Sequence, residues 1–221
     1  MKNPILLGFP LHTSVDHKIK DQNLKLGNTT FHVKLIPQQA ELKEIYEQTL
    51  STPAENLDLL VTHSEILYVI LKEINLSELQ KTLGDLNEIW EYALPFVYVE
   101  SAGVSHTKDF FESNVTEGDF ESWVNILVQS VEQNGSLYTH GMATLNQVDF
   151  IVNISSDMET AMGLLYSACV EALESEQIWK AGEKLKFEQD TYRLQKMEQG
   201  LLPQDDPYFN PNGYLKILQS F

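Results

Sequence analysis

The 221-residue chain has one cysteine, Cys169, and one arginine, Arg193. A lone cysteine excludes an intrachain disulfide. Between Lys108 and Lys180 there is no Lys or Arg, while twelve Asp or Glu occur, so a basic patch for DNA, RNA or anionic lipid is not expected. Long apolar runs are also missing. The longest, Ala93 to Val99, has seven residues and includes Pro95, against the roughly 20 that a membrane-spanning helix needs. Ile5-Leu6-Leu7 is too short for a signal peptide and no small-residue cleavage site follows it, so the expectation is a soluble, cytoplasmic protein.

What is present is enough apolar content, 43%, to bury a full core. No boundary stands out, and the reading is one α+β domain over residues 1–221, with a mixed, largely antiparallel sheet and helices mainly on one face. The net charge of −17 is uneven: residues 1–35 carry five Lys against two Asp, and the remainder carries ten basic against thirty acidic residues. The acidity therefore belongs to the body of the chain.

The stretch from Trp123 to Glu176 reads as strand, turn, strand, strand, helix. Asn134-Gly135 tolerates positive φ at both centres of a tight turn, between strand-forming runs Trp123–Gln133 and Ser136–Thr144. A two-residue loop sets the register: Val131 opposes Tyr138, Gln129 opposes His140, Leu127 opposes Met142, Val128 meets Gly141 and Ile126 meets Ala143. Val148–Ile154 makes a third strand. Ser156-Asp157-Met158-Glu159 is a capping box, and Met158, Ala161, Met162, Leu165, Ala168, Cys169, Ala172 and Leu173 form one helical stripe. Cys169 on that stripe is expected to be buried and inert.

Elsewhere, Ile5–Phe9 reads as a first strand and Leu24–Leu26 with Phe31–Ile36 as a hairpin. A helix is expected over Gln38–Leu50. Leu57–Thr62 and Ile66–Leu71 read as two strands or one interrupted strand. Ser77 caps a helix running to about Tyr92, and Phe96–Glu100 is a buried strand. A small-residue loop, Ser101–Thr107, a short helix, Lys108–Ser113, and an acidic connector, Asn114–Glu121, follow. Lys184–Phe187 and Thr191–Leu194 read as a strand pair. Residues 200–221 form an extended Pro-containing segment over the surface, aromatics tucked in, closing with a strand at Tyr214–Leu218.

The strand and loop from Pro95 to His106, with the later strand Leu137-Tyr138-Thr139-His140-Gly141-Met142, resembles a bacterial family called domain of unknown function 4261. In that family a hydrophobic strand leads to a Ser-Ala-Gly-like loop with a following His, and a Thr-x-Gly strand precedes a short strand and helix. The resemblance covers roughly Leu6 to Leu173. Asn146-Gln147-Val148-Asp149 stands where the family has Gly-x-Pro-Glu, and the family name implies no activity.

Two groups of residues are candidate sites. Ser101, Gly103 and Ser105 could cradle an anion or carbonyl with His106 as acid-base; the plainer reading is a strand-to-helix turn in which Ser105, His106 or Thr107 caps the helix. Gln129, Tyr138 and His140 could form a polar cluster, or a half-exposed cross-strand pair. No histidines have metal-ligand spacing, and no cofactor is implied. The expectation is a non-catalytic binding protein, immunity-like or inhibitor-like, with an acidic face for a basic protein partner; the alternative is a hydrolase or transferase using the Ser101–His106 loop with His140.

Overall fold

The computed structural model describes residues 3–72, 75–154, 157–175, 177–197 and 202–219. They fall into two compact units, one from Pro4 to Ile126 and the other from Leu127 onward together with Asn3. Each unit holds a six-stranded sheet, and with the helices this gives an α+β fold whose strand pairings are mostly antiparallel.

In the first unit, β1 (Ile5–Leu11), β2 (Asn23–Leu26), β3 (Thr29–Pro37), β4 (Glu65–Leu71), β5 (Phe96–Val99) and β6 (Val104–Thr107) lie in the order β2-β3-β4-β1-β5-β6. Residues on both faces of the central β1 are buried, because helical segments cover each side. On one, Tyr46 of α1 (Leu42–Thr49) packs with Leu42, Leu60, Ile66 and Phe96. On the other, Phe9 meets Trp90 edge-on at 5.2 Å, and Trp90 meets Phe111 of α3 (Lys108–Glu117, after α2, Leu76–Asp85) at 6.3 Å.

Several elements differ from expectation. Leu57–Thr62 is a 3-10 helix entered through Asn56 in the left-handed region, not a strand. Its spacing of three turns Leu57 and Leu60 inward and leaves Leu59 and Val61 exposed. Asn75, not Ser77, precedes α2, and the segment tightens to 3-10 geometry at Leu86–Glu91 instead of continuing as one helix. Ser101–Thr107 is not one loop, since Val104–Thr107 pairs with Phe96–Val99. The connector Asn114–Glu121 is largely helical: α3 continues to Glu117 and stops at Gly118, φ +64°, where a side chain would collide with Gln80. Trp123–Leu127 belongs to α4 (Phe120–Leu127), not to a strand. Asp119 starts it by accepting from Ser122 N at 2.8 Å, and Phe120, Trp123, Val124 and Leu127 have helical spacing. The pairs drawn from Ile126, Leu127 and Val128 therefore do not form.

The second sheet runs β10-β11-β12-β9-β8-β7, from β7 (Gln129–Gln133), β8 (Ser136–His140), β9 (Asp149–Asn153), β10 (Lys184–Phe187), β11 (Asp190–Lys196) and β12 (Tyr214–Gln219). Gln129 faces His140 and Val131 faces Tyr138, as expected. β8 ends where Gly141, φ +108°, turns the chain into a 3-10 helix at Met142–Leu145. Among the described strands of this sheet the parallel pairing joins β12 to β9, and α5 (Met158–Glu174) covers the sheet. Its stripe is rotated from the expected one: Leu164 is buried with Ala161, Leu165, Ala168, Cys169, Ala172 and Leu173, while Met158 and Met162 are exposed. Asp157 caps the helix, accepting from Glu159 N and Thr160 N; Ser156 lies outside the described residues. Cys169 is buried, which raises its thiol well above the ordinary range.

Asn134 and Gly135 have φ of 53° and 75° and no atom lies within 4 Å of a Cβ built on Gly135. Any cost of Gly135→Val is thus backbone strain alone, and we expect a loss of about 1 kcal/mol or more in a denaturant melt; a midpoint equal to wild type would contradict the turn geometry.

Candidate functional site

The Ser101–His106 segment, all in the first unit, is a hairpin end whose polar groups are turned to its own fold. Ala102 N and Gly103 N donate to Val99 O at 3.1 and 2.8 Å, Gly103 having φ +73°. These amides close the turn between β5 and β6 instead of facing an anion. Ser105, fully buried, lies 2.6 Å from Thr49 Oγ1. Because the Thr49 hydroxyl already donates to Ile45 O, Ser105 is the donor between them. Thr107 caps α3, accepting from Phe110 N. Ser101 Oγ is buried with no hydrogen-bond partner.

His106 is also fully buried, its ring stacked on Phe110 at 5.1 Å. Nε2 is 2.9 Å from Ile126 O, which can only accept, so Nε2 carries the proton and Nδ1 accepts from Ser51 Oγ at 2.7 Å. Burial lowers its pKa to about 4, against the opposing bond to Ile126. The ring is neutral at ordinary pH and both nitrogens are engaged. His63 is buried likewise, Nδ1 donating to Leu60 O and Nε2 accepting from Gln39 N.

In the second unit the three expected neighbours Gln129, Tyr138 and His140 share the β7–β8 ladder. Of the expected half-exposed pair, Gln129 is half-buried while His140 is covered. Tyr208 stacks on His140 at 4.8 Å with 12° between planes, and Tyr138 meets its edge at 4.9 Å. His140 is left 6% exposed, with Nε2 buried and unpaired. Burial lowers its pKa to about 4, partly opposed by Asp206.

Beside this stack lies a polar network that sequence reasoning missed. The Asp149 carboxylate, fully buried, accepts from Thr139 Oγ1 at 2.9 Å, from Asn210 Nδ2 at 2.7 Å and from the Met142 amide. Desolvation nonetheless pushes its pKa up to about 7. The second Asn210 Nδ2 hydrogen goes to Gln147 O at 2.9 Å. The Gln147 side chain in turn donates to Ala172 O and Gln177 O, both at 2.8 Å, and accepts from Trp179 N. The available signal was Asn210-Pro211-Asn212-Gly213, a turn sequence rich in side-chain acceptors and donors.

The same segment walls a cleft of about 610 Å³, lined by Trp179, Phe209, Asn210, Asn212 and Tyr214 among others, with Lys180 and Lys196 in its lining. Among the described residues no group of three His, Cys, Asp or Glu is placed to hold a metal ion.

Two outcomes follow from these partners. Asn210→Ala removes a donor from a buried carboxyl and one of the two side-chain donors to the Gln147 carbonyl, and should cost about 1–3 kcal/mol in urea melts; a change within a few tenths would count against the network. The two histidines, held below 6.5, bind fewer protons folded than unfolded, so their contribution to stability is lost as pH falls from 6.5 toward 4. Asp149, held above 3.8, acts oppositely, its contribution declining as pH rises from about 4 through 7. His106→Gln should therefore make the decline from pH 6.5 to 4 shallower than in wild type, and parallel curves would refute the assignment of a buried neutral ring.

With that geometry in hand, comparison with known proteins gives no match: no family model, no curated protein and no solved structure is similar to this chain.

Proposed function

We propose that this chain is a non-catalytic binding protein, immunity-like or inhibitor-like, that captures a basic protein partner through its carboxylates. The observation that carries this reading is a net charge of −17, part of which stands where the helix dipole opposes it. Among the described residues, none of the five α-helices has a basic residue in its last turn, although a cation there is favourable to the helix dipole. α5 ends instead with Glu171 and Glu174, and the Glu171 pKa is raised by desolvation and then by Glu174, with Lys186 opposing. Glu117, the last residue of α3, is exposed and likewise at the end the dipole disfavours. Like charges held close weaken the folded state unless a cationic partner offsets them, and they raise the encounter rate with such a partner.

The test has two arms. Raising ionic strength from low to physiological values shortens the Debye length to about 8–10 Å and should raise Tm. A partner recovered by affinity capture should be basic and should bind with an on-rate that falls over the same range. Glu174→Lys should stabilise the free protein by a few tenths of a kcal/mol while slowing capture. A flat Tm together with salt-independent binding would reduce the acidity to a solubility feature.

A further inference from the structure

The cleft against the 202–213 segment has a different chemistry from the rest of this acidic chain. Acidic residues outnumber basic ones 32 to 15, yet among the described residues lining the cleft the charged ones are Lys180 and Lys196 and none is a carboxylate. Both lysines are exposed, and neither forms an ion pair among the described residues. The Glu183 carboxylate nearest in sequence to Lys180 accepts from that residue's backbone amide at 3.0 Å.

The walls are apolar, aromatic and fixed in place. Trp179 is held by three contacts: Nε1 donates to Ser175 Oγ at 2.9 Å, its amide donates to Gln147 Oε1, and its ring meets Phe150 edge-on at 5.8 Å. Tyr214 accepts from Asn210 N at 3.2 Å. The hydrogens of the Asn210 side chain are spent on Gln147 O and Asp149, so this amide offers a ligand no free donor. A volume of about 610 Å³ lies within the range of small-molecule pockets, which combine apolar walls with a few polar groups that orient the ligand.

We propose that this cleft is a binding site for a small amphipathic anion: a flat apolar body seated against Trp179, Phe209 and Tyr214, with one carboxylate, sulfonate or phosphate group between Lys180 and Lys196. Recognition rests on shape and on two ammonium groups, since the buried amide is already satisfied. The site is independent of the capture of a basic partner, which uses carboxylates.

Two dyes of matched shape separate the contributions. Titration with 8-anilinonaphthalene-1-sulfonate, followed by energy transfer from tryptophan, should saturate at one dye per chain. The exposed lysines can be replaced without disturbing the core, and K180Q/K196Q should weaken the sulfonate dye on the order of tenfold, the scale of a charge contact at a partly shielded site. Its uncharged analogue, N-phenyl-1-naphthylamine, should bind wild type and K180Q/K196Q within about twofold of each other. F209A should weaken both dyes. The proposal is overturned if the sulfonate dye fails to saturate, binds at several sites, or binds K180Q/K196Q as tightly as wild type, or if the uncharged dye loses as much as the charged one.

Discussion

Asp149 has no solvent contact, and removing a carboxylate from water costs several kcal/mol unless donors replace its hydration. Thr139, Asn210 and the Met142 amide supply three. Two come from the end of β8 and the turn after it and one from the distant 202–213 segment, so solvating one buried group ties that segment to β8 and β9. Asn210 also ties to Gln147 O, and Gln147 to the end of α5 and to Trp179. The parallel entry of β12 beside β9 follows from this arrangement: Asp149 N donates to Gly213 O, and the Tyr214 hydroxyl accepts from Asn210 N. A partly satisfied network would be worse than an apolar core, which makes the 202–213 segment a structural strap despite its prolines.

His106 and His140 reach the same lowered pKa by the same cause, burial, but differ in how their nitrogens are treated. His106 has both engaged and stacks on Phe110 within one folded unit. His140 has a buried unpaired Nε2 between two tyrosine rings. An unpaired buried nitrogen costs of order 1–3 kcal/mol, which the Tyr208 stack must offset. The strap over β8 is thus anchored strongly at Asn210 and more weakly at Tyr208.

Local chemistry was legible in the sequence wherever one residue pair decided the conformation. Asn134-Gly135 set a register correct at Gln129 with His140, and the β2–β3, β10–β11 and β12 strands were visible in their apolar alternation. It failed where two periods competed. Trp123 to Leu127 is apolar enough for a strand, but Asp119 supplies a cap and the residues also repeat at helical spacing. Leu57–Thr62 looked β-forming until the left-handed Asn56 directed it into 3-10 geometry. Ser101–His106 allows two readings in the sequence, a ligand loop and a strand-to-helix turn, because small residues suit a ligand loop. They suit a tight hairpin equally, and only the positions of Ser51, Thr49 and Ile126, distant in sequence, decide between them. Asp149 was invisible for the same reason: its partners Thr139 and Asn210 are brought to it by strand pairing.

The acidic residues divide by what the fold does with them. Asp119 and Asp157 sit at helix starts, where unpaired amides and the dipole favour a negative group, and both have lowered pKa values, Asp119 first from the Ser122 amide and Asp157 first from the Thr160 hydroxyl and then the Thr160 and Glu159 amides. Asp149 is held in the strap network. Glu171 and Glu174 sit at the opposite end of a helix, where the dipole opposes them and they oppose each other. Lys186 and the Ser167 hydroxyl favour the Glu171 carboxylate in return, whereas a lysine at 174 would suit the end of the helix better. The contrast supports reading the surplus charge as serving a surface role, and it sharpens the oddity of a cleft that is lined, in this chain of all chains, by lysine.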